Sequence, residues 1–167
     1  MSVPTTIDFT APVIARHAVD VAAPLDMVWA LHTDVNAWPT WQTDITAARL
    51  DGEFTEGAAF TWTSFGFSVT STIYHLAGRA RVLWGGTADG ITGIHEWLFT
   101  ASPTGVHVAT NESFAGPPIA TDATNMQRLL DGSLQSWLAH LKAAAESRSA
   151  SRVHSRARES LPPHLRA

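Results

Sequence analysis

Cysteine is absent from the 167 residues, which excludes disulfides, thiolate metal ligands and cysteine nucleophiles and suits a reducing cytoplasm. No apolar run approaches the roughly 18 residues of a membrane span. Residues 1–10 lack the basic segment and apolar core of a signal peptide. No glycine loop leads into a helix as phosphate binding requires, and no serine sits in a Gly-x-Ser-x-Gly elbow. His17, His32, His75, His107 and His140 show no paired spacing suited to zinc. From these absences the chain is expected to be soluble and cytoplasmic, with no metal or other cofactor. They leave no case for a hydrolase or a nucleotide enzyme.

Positive charge is scarce in most of the chain. Residues 1–147 carry six basic and fourteen acidic side chains, a net of −8, whereas residues 148–167 carry five arginines and one glutamate, a net of +4. The acidic body argues against nucleic acid as the main ligand. The tail after residue 147 mixes Ser and Arg and ends near Pro162-Pro163. With so little apolar surface to offset the entropy of ordering, it is expected to be mobile or a frayed helical extension.

Tryptophan is plentiful, with seven residues against one tyrosine, and the longest ordered pattern carries one of them. From Ile119 to about Glu146, the apolar residues Met126, Leu129, Leu130, Leu134, Trp137, Leu138 and Leu141 recur at three- and four-residue steps. Ser133 fills the one gap. This is one face of a helix that must be buried against something.

Upstream, Ile14–Ala22 alternates as a half-buried strand and ends at Ala23-Pro24. Leu25 to about Thr33 reads as a short helix, with Pro24 suited to its first turn and Asp26 near its positive end. Two tryptophans around a proline, Trp38-Pro39-Thr40-Trp41, follow as an irregular helical turn. Strands are then expected over Ile45–Leu50, Ala58–Phe65, Phe67–Leu76, Arg79–Trp84, Ile91–Thr100 and Val106–Phe114, separated by turn residues. Gly85-Gly86 and Gly90 read as turn or bulge glycines. Short connections without crossover helices make the sheet antiparallel. One α+β domain spanning 14–147 results, preceded by an extension of residues 1–13, with the sheet curved around the long helix.

Strand alternation selects the side chains that face that helix. On the last strand Val106, Val108, Thr110, Glu112 and Phe114 share one face. His95, Trp97 and Phe99 form the more aromatic face of the strand before it, and a hairpin at Ser102–Gly105 would pair Phe99 with Val106, Trp97 with Val108 and His95 with Thr110. Glu112 then falls one diagonal step from His95. Phe60, Trp62 and Ser64, then Val69, Ser71, Ile73 and His75, then Val82 and Trp84 complete the inward sets.

The element order resembles a known superfamily, together with three stretches: Asn36-Ala37-Trp38-Pro39-Thr40-Trp41-Gln42, His95-Glu96-Trp97-Leu98-Phe99, and Thr110-Asn111-Glu112-Ser113-Phe114-Ala115-Gly116. It is similar to the polyketide cyclase/dehydrase branch of the START-like, Bet v 1-like superfamily over about Ala15 to Ala145. The resemblance implies a helix-grip fold: a seven-stranded antiparallel sheet wrapped around the C-terminal helix, with an apolar cavity between them. It does not imply one activity, because the superfamily includes carriers, receptors and aromatase/cyclases.

A mostly apolar pocket with a few polar groups is the profile of a small-molecule site. Its candidate lining is Trp41, Phe60, Trp62, Val69, Ile73, Trp84, Trp97, Val108, Met126, Leu130 and Leu134, with His95, Thr110 and Glu112 as the polar members. Trp38 and Trp41 fit packing under the sheet or one lip of the cavity. His95 and Glu112 fit a structural pair, a device that orients a ligand hydroxyl or carbonyl, or a proton-transfer pair. The main expectation is a carrier or sensor for a small hydrophobic, aromatic or polycyclic molecule. The alternatives are a cyclase, aromatase or dehydratase, and an interaction module built on the helix groove. The outer faces carry no long apolar run that demands a partner subunit.

Overall fold

The computed structural model describes residues 2–159. Seven strands and four helical segments follow the expected order. They are β1 (Val13–Val21), α1 (Leu25–Thr33), a 3-10 helix (Val35–Thr40), β2 (Ile45–Leu50), β3 (Ala59–Ser64), β4 (Phe67–Ala77), β5 (Arg81–Ala88), β6 (Ile91–Ser102), β7 (Gly105–Ala115), α2 (Pro117–Thr121) and α3 (Ala123–Glu159). The strands form one antiparallel sheet in the order β1-β7-β6-β5-β4-β3-β2. This is the helix-grip arrangement, with the two short helices inserted after β1.

Local chemistry explains the insert. Asp26 occupies the first turn of α1 and Met27, Val28 and Leu31 give it a buried face. The 3-10 helix tolerates Pro39 because it is a single short piece. Trp38 is fully buried and its indole N–H donates to the His32 carbonyl at 2.9 Å, fastening the 3-10 helix to α1.

Three expectations are corrected by the register. Pro103, with φ preset for the first central position of a turn, makes Pro103-Thr104 the loop, so that Ser102 faces Gly105. Phe99 therefore pairs with Val108, Trp97 with Thr110 and His95 with Glu112. The slip is two residues, so every side chain keeps its face, and Glu112 comes directly opposite His95. In β4 an irregularity between Ile73 and His75 breaks the alternation: His75 pairs with Leu83 and turns outward to Glu56, 3.0 Å away. Finally, β5 runs on through Gly85 and Gly86 to Ala88, so these glycines lie inside a strand rather than in a turn.

The C-terminal helix also differs from expectation. Ile119 belongs to the separate helix α2, and α3 starts at Ala123. Leu130, Leu134, Trp137, Leu138, Leu141 and Ala145 are buried along α3. Beyond that face α3 continues to Glu159, so the first part of the basic tail is helical; residues 160–167 lie outside the described residues. At the other end, the extension before β1 lies on the sheet's outer face. Ile7 is buried, Arg81 donates to the Thr5 carbonyl at 2.7 Å, and the Asp8 N–H donates to Ser113 Oγ at 3.0 Å.

Candidate ligand-binding cavity

The space between sheet and α3 has a filled half and an open half. In the filled half, bulky rings meet edge to face. Trp38 lies 5.4 Å from Phe60 and 5.1 Å from Trp137, and Trp97 lies 5.6 Å from Trp137. His32 is enclosed there too, its ring 4.7 Å from Trp97 and 5.3 Å from Phe99. Neither of its ring nitrogens has a hydrogen-bond partner among the described residues, and burial pushes its pKa down to about 3.

In the open half the inward positions shrink. Gly86 of β5 pairs with Gly93 of β6, two residues from Trp84 and His95 respectively. Both are glycines in strand interiors, where such residues mark a close approach or an opening. A Cβ on Gly86 would meet the Thr70 carbonyl at 2.1 Å, and one on Gly93 would stand 3.2 Å from the Phe114 ring and 3.6 Å from Glu112 Oε1. Beside these two glycines lies a cavity of about 550 Å³.

Its walls come from every layer of the fold. The β3–β4 hairpin supplies Trp62, Ser64, Phe65, Phe67, Val69 and Ser71. From β5, β6 and their turn come Trp84, Gly86, Ala88, Asp89, Ile91 and Gly93, while β7 gives Glu112 and Phe114. The helix closes it with Met126, Leu129, Leu130 and Ser133. Trp62 is held by its own indole N–H, which donates to Ser71 Oγ at 3.0 Å. Phe65, Phe67 and Leu129 stand at the mouth and are largely exposed.

Glu112 is the charged-type group that reaches deepest. It is 7% exposed, and burial raises its pKa to about 8, so the carboxyl is protonated at neutral pH. No described residue donates a hydrogen bond to it. Its neighbour across the ladder is His95, whose Nδ1 lies 3.5 Å from Oε2. Burial, helped by the nearby His32, holds the His95 pKa well below its usual value, so both groups are neutral. On its other side His95 Nε2 meets Thr110 Oγ1 at 2.6 Å, and Thr110 donates onward to the Glu96 carbonyl at 3.1 Å.

The candidate residues therefore divide. Trp62, Val69, Trp84, Glu112, Met126 and Leu130 line the cavity. Trp41, Phe60, Ile73, Trp97, Val108 and Leu134 are buried but do not line it. The first five of these belong to the filled half and Leu134 packs with Val13 and Ala15. His95 and Thr110 stand one layer behind Glu112. Alternation could have added Phe67, Gly86, Gly93 and Phe114, each two residues from a member already chosen, and then Ala88 and Ile91, two residues further along β5 and β6. Phe65 gave no such signal, because it sits in a turn.

Elsewhere His17 pairs with Asp131 at 2.8 Å and His107 with Asp20 at 2.7 Å, while His140 meets the side chains of Gln42 and Thr43. Among the described residues, no three His, Asp or Glu converge on a metal position. A second depression runs between α1 and the end of α3, walled by Asp26, Met27, Ala30, Arg148, Arg152 and Arg156. It is a wide groove open to solvent, with no buried unpartnered group aimed into it.

A sheet gripping a C-terminal helix over an apolar cavity defines a START-like protein. The chain belongs to the polyketide cyclase/dehydrase and lipid transport family, whose model matches residues 12–146. Solved structures agree in fold. A hypothetical protein of Helicobacter pylori aligns with a TM-score of 0.71 at 19% identity over 87% of this chain and 99% of its own. The di-domain ARO/CYC StfQ of the steffimycin biosynthetic pathway gives 0.70 at 15% identity, over 83% of this chain and 52% of that one. A START superfamily protein from Mycobacterium smegmatis gives 0.66 at 14% identity, over 80% and 97%. At such identities the likeness is one of fold. A search of curated protein sequences finds no match.

Proposed function

We propose that the protein binds a small hydrophobic molecule, aromatic or polycyclic, in the internal cavity and acts as a carrier or sensor. The observation that carries this reading is a cavity of about 550 Å³, walled by Trp62, Trp84, Val69, Met126 and Leu130, with one unpartnered buried carboxyl at Glu112. That volume falls in the range of drug-sized sites. The acidic body makes nucleic acid a poor partner. No described helix is long and apolar enough to cross a membrane.

Trp62 and Trp84 supply the test. A panel of polycyclic aromatics, aromatic polyketides, sterols and fatty acids is added to the protein, with tryptophan emission recorded and the mass of the recovered compound measured. Binding with quenching or a blue shift, and recovery of the compound unchanged, supports a carrier or sensor. A silent panel contradicts it.

One observation favours a second reading, a cyclase- or dehydratase-type enzyme. A carboxyl whose pKa burial has raised to about 8 can give and take a proton near neutral pH. Recovery of a dehydrated or cyclised product with the wild type, and not with Glu112→Gln, supports this reading. Equal turnover by that variant removes Glu112 from the chemistry.

A further inference from the structure

We propose that the cavity selects an uncharged ligand bearing a hydrogen-bond acceptor at its inner end, of the aromatic-ketone class, and that Glu112 recognises this acceptor by donating its own proton. The inference rests on the ligand-binding reading of the cavity and adds the charge and polarity of what it takes.

The direction of each hydrogen bond fixes where the protons are. The Glu96 carbonyl can only accept, so the Thr110 hydroxyl spends its single hydrogen there, at 3.1 Å. At its 2.6 Å contact with His95, Thr110 must therefore accept, and the ring donates from Nε2. A neutral ring has one N–H, so Nδ1 is a bare lone pair facing Glu112. The far end of this chain is anchored on the outer face of the sheet. Arg81 Nε and Asn111 Nδ2 donate to the Glu96 carboxylate at 2.7 and 2.8 Å, which holds Glu96 and its strand in place.

An ionised Glu112 would confront that lone pair with no donor to answer it. A protonated one fits. Its separation of 3.5 Å from Nδ1 is too long for a good hydrogen bond, so the proton is left free to serve the cavity, toward which Oε1 is open beside Gly93. An acceptor entering from the mouth completes the arrangement. His95, Thr110 and Glu96 are positioning groups, because they fix which proton faces the ligand without touching it.

The walls set the charge preference. Among the cavity-lining residues there is no lysine or arginine, and the one ionisable group besides Glu112 is Asp89 at the mouth. A carboxylate ligand would enter with no counter-charge, and burying an unpaired ion is costly. An ammonium ligand would find a buried counter-charge only after Glu112 had given up its proton in an apolar wall.

The test uses four probes of one ring size at neutral pH: naphthalene, 2-acetylnaphthalene, 2-naphthoate and 2-naphthylmethylammonium, titrated against tryptophan emission. The ketone should bind about threefold to tenfold tighter than naphthalene, the range of a net hydrogen bond, and naphthoate at least about tenfold weaker than the ketone. Glu112→Gln keeps a donor and should keep the ketone preference. Glu112→Met should lose it. Wild-type affinity for the ketone, and not for naphthalene, should also fall as pH rises past 8; this readout stands even if the methionine variant does not fold. Equal or tighter binding of naphthoate or the ammonium, a preference that survives in Glu112→Met, or pH-independent ketone affinity overturns the proposal. Naphthalene binding without a ketone preference overturns it while the cavity reading stands. No binding by any probe removes both.

Discussion

Glu112 stands directly across the β6–β7 ladder from His95, and the two neutral groups approach to 3.5 Å at the inner wall of the cavity. Their burial makes stability depend on pH in opposite directions. Glu112 titrates at about 8 when folded and near 4.5 when unfolded. Between those values the folded state holds the extra proton, so stability falls as pH rises, by about 1.4 kcal/mol per unit. His32 titrates at about 3 folded against 6.5 unfolded, and His95 shifts in the same direction. Each binds its proton in the unfolded state first, so stability is lost as pH drops below 6.5. Thermal melts across pH should therefore peak near 6.5. In Glu112→Gln the decline from there to 8 should disappear, and an unchanged alkaline limb would place the Glu112 carboxyl in water.

Phe65 occupies a costly backbone position. It and Gly66 form the β3–β4 turn with φ of 49° and 83°, the left-handed pair for which Asn-Gly is preferred. A bulky side chain there costs about 1–2 kcal/mol, yet Phe65 is 69% exposed and rests at the cavity mouth. Phe65→Asn should raise the melting temperature and speed ligand release. Melts and stopped-flow dissociation measure the two effects. Higher stability with unaltered release would mean that the phenyl ring does not contact the ligand.

Gly86 and Gly93 should respond differently to added side chains. The Cβ of Gly86→Ala meets the Thr70 backbone, which cannot yield cheaply, so a loss of about 1–3 kcal/mol is expected from overpacking. At Gly93 the neighbours are the Phe114 ring and the Glu112 carboxyl. Gly93→Val suits a strand and should keep the fold while filling the inner cavity and abolishing binding. Denaturant melts and probe titrations of both variants check this pair of outcomes, and full binding by Gly93→Val would move the ligand elsewhere.

Much of this architecture is written in local signals. The start and end of α1 at Leu25 and Thr33, and of β2 at Ile45 and Leu50, follow from Pro24, Asp26 and Asp51-Gly52. The pairing of Glu112 with His95 was legible as a neighbourhood because a two-residue slip preserves faces. What alternation does not carry is volume. Phe60, Ile73, Trp97 and Val108 share the inner face with Trp62, Val69 and Glu112. They are packed because Trp38 from the 3-10 helix and Trp137 from α3 reach into their half. The open half is bordered by Gly86, which read in isolation as a turn, and by Gly93, which lay within an expected strand but carried no signal of its own. The continuation of α3 to Glu159 was obscured by its scarcity of apolar residues, although its Ala and Arg are good helix formers.

The most direct measurement is a crystal structure of the protein with 2-acetylnaphthalene. Density should fill the cavity, with the rings near Trp62 and Trp84 and the carbonyl within hydrogen-bonding reach of Glu112. Ligand density confined to the groove between α1 and α3, or a cavity that stays free of it at saturating probe, would contradict the assignment of this cavity as the binding site.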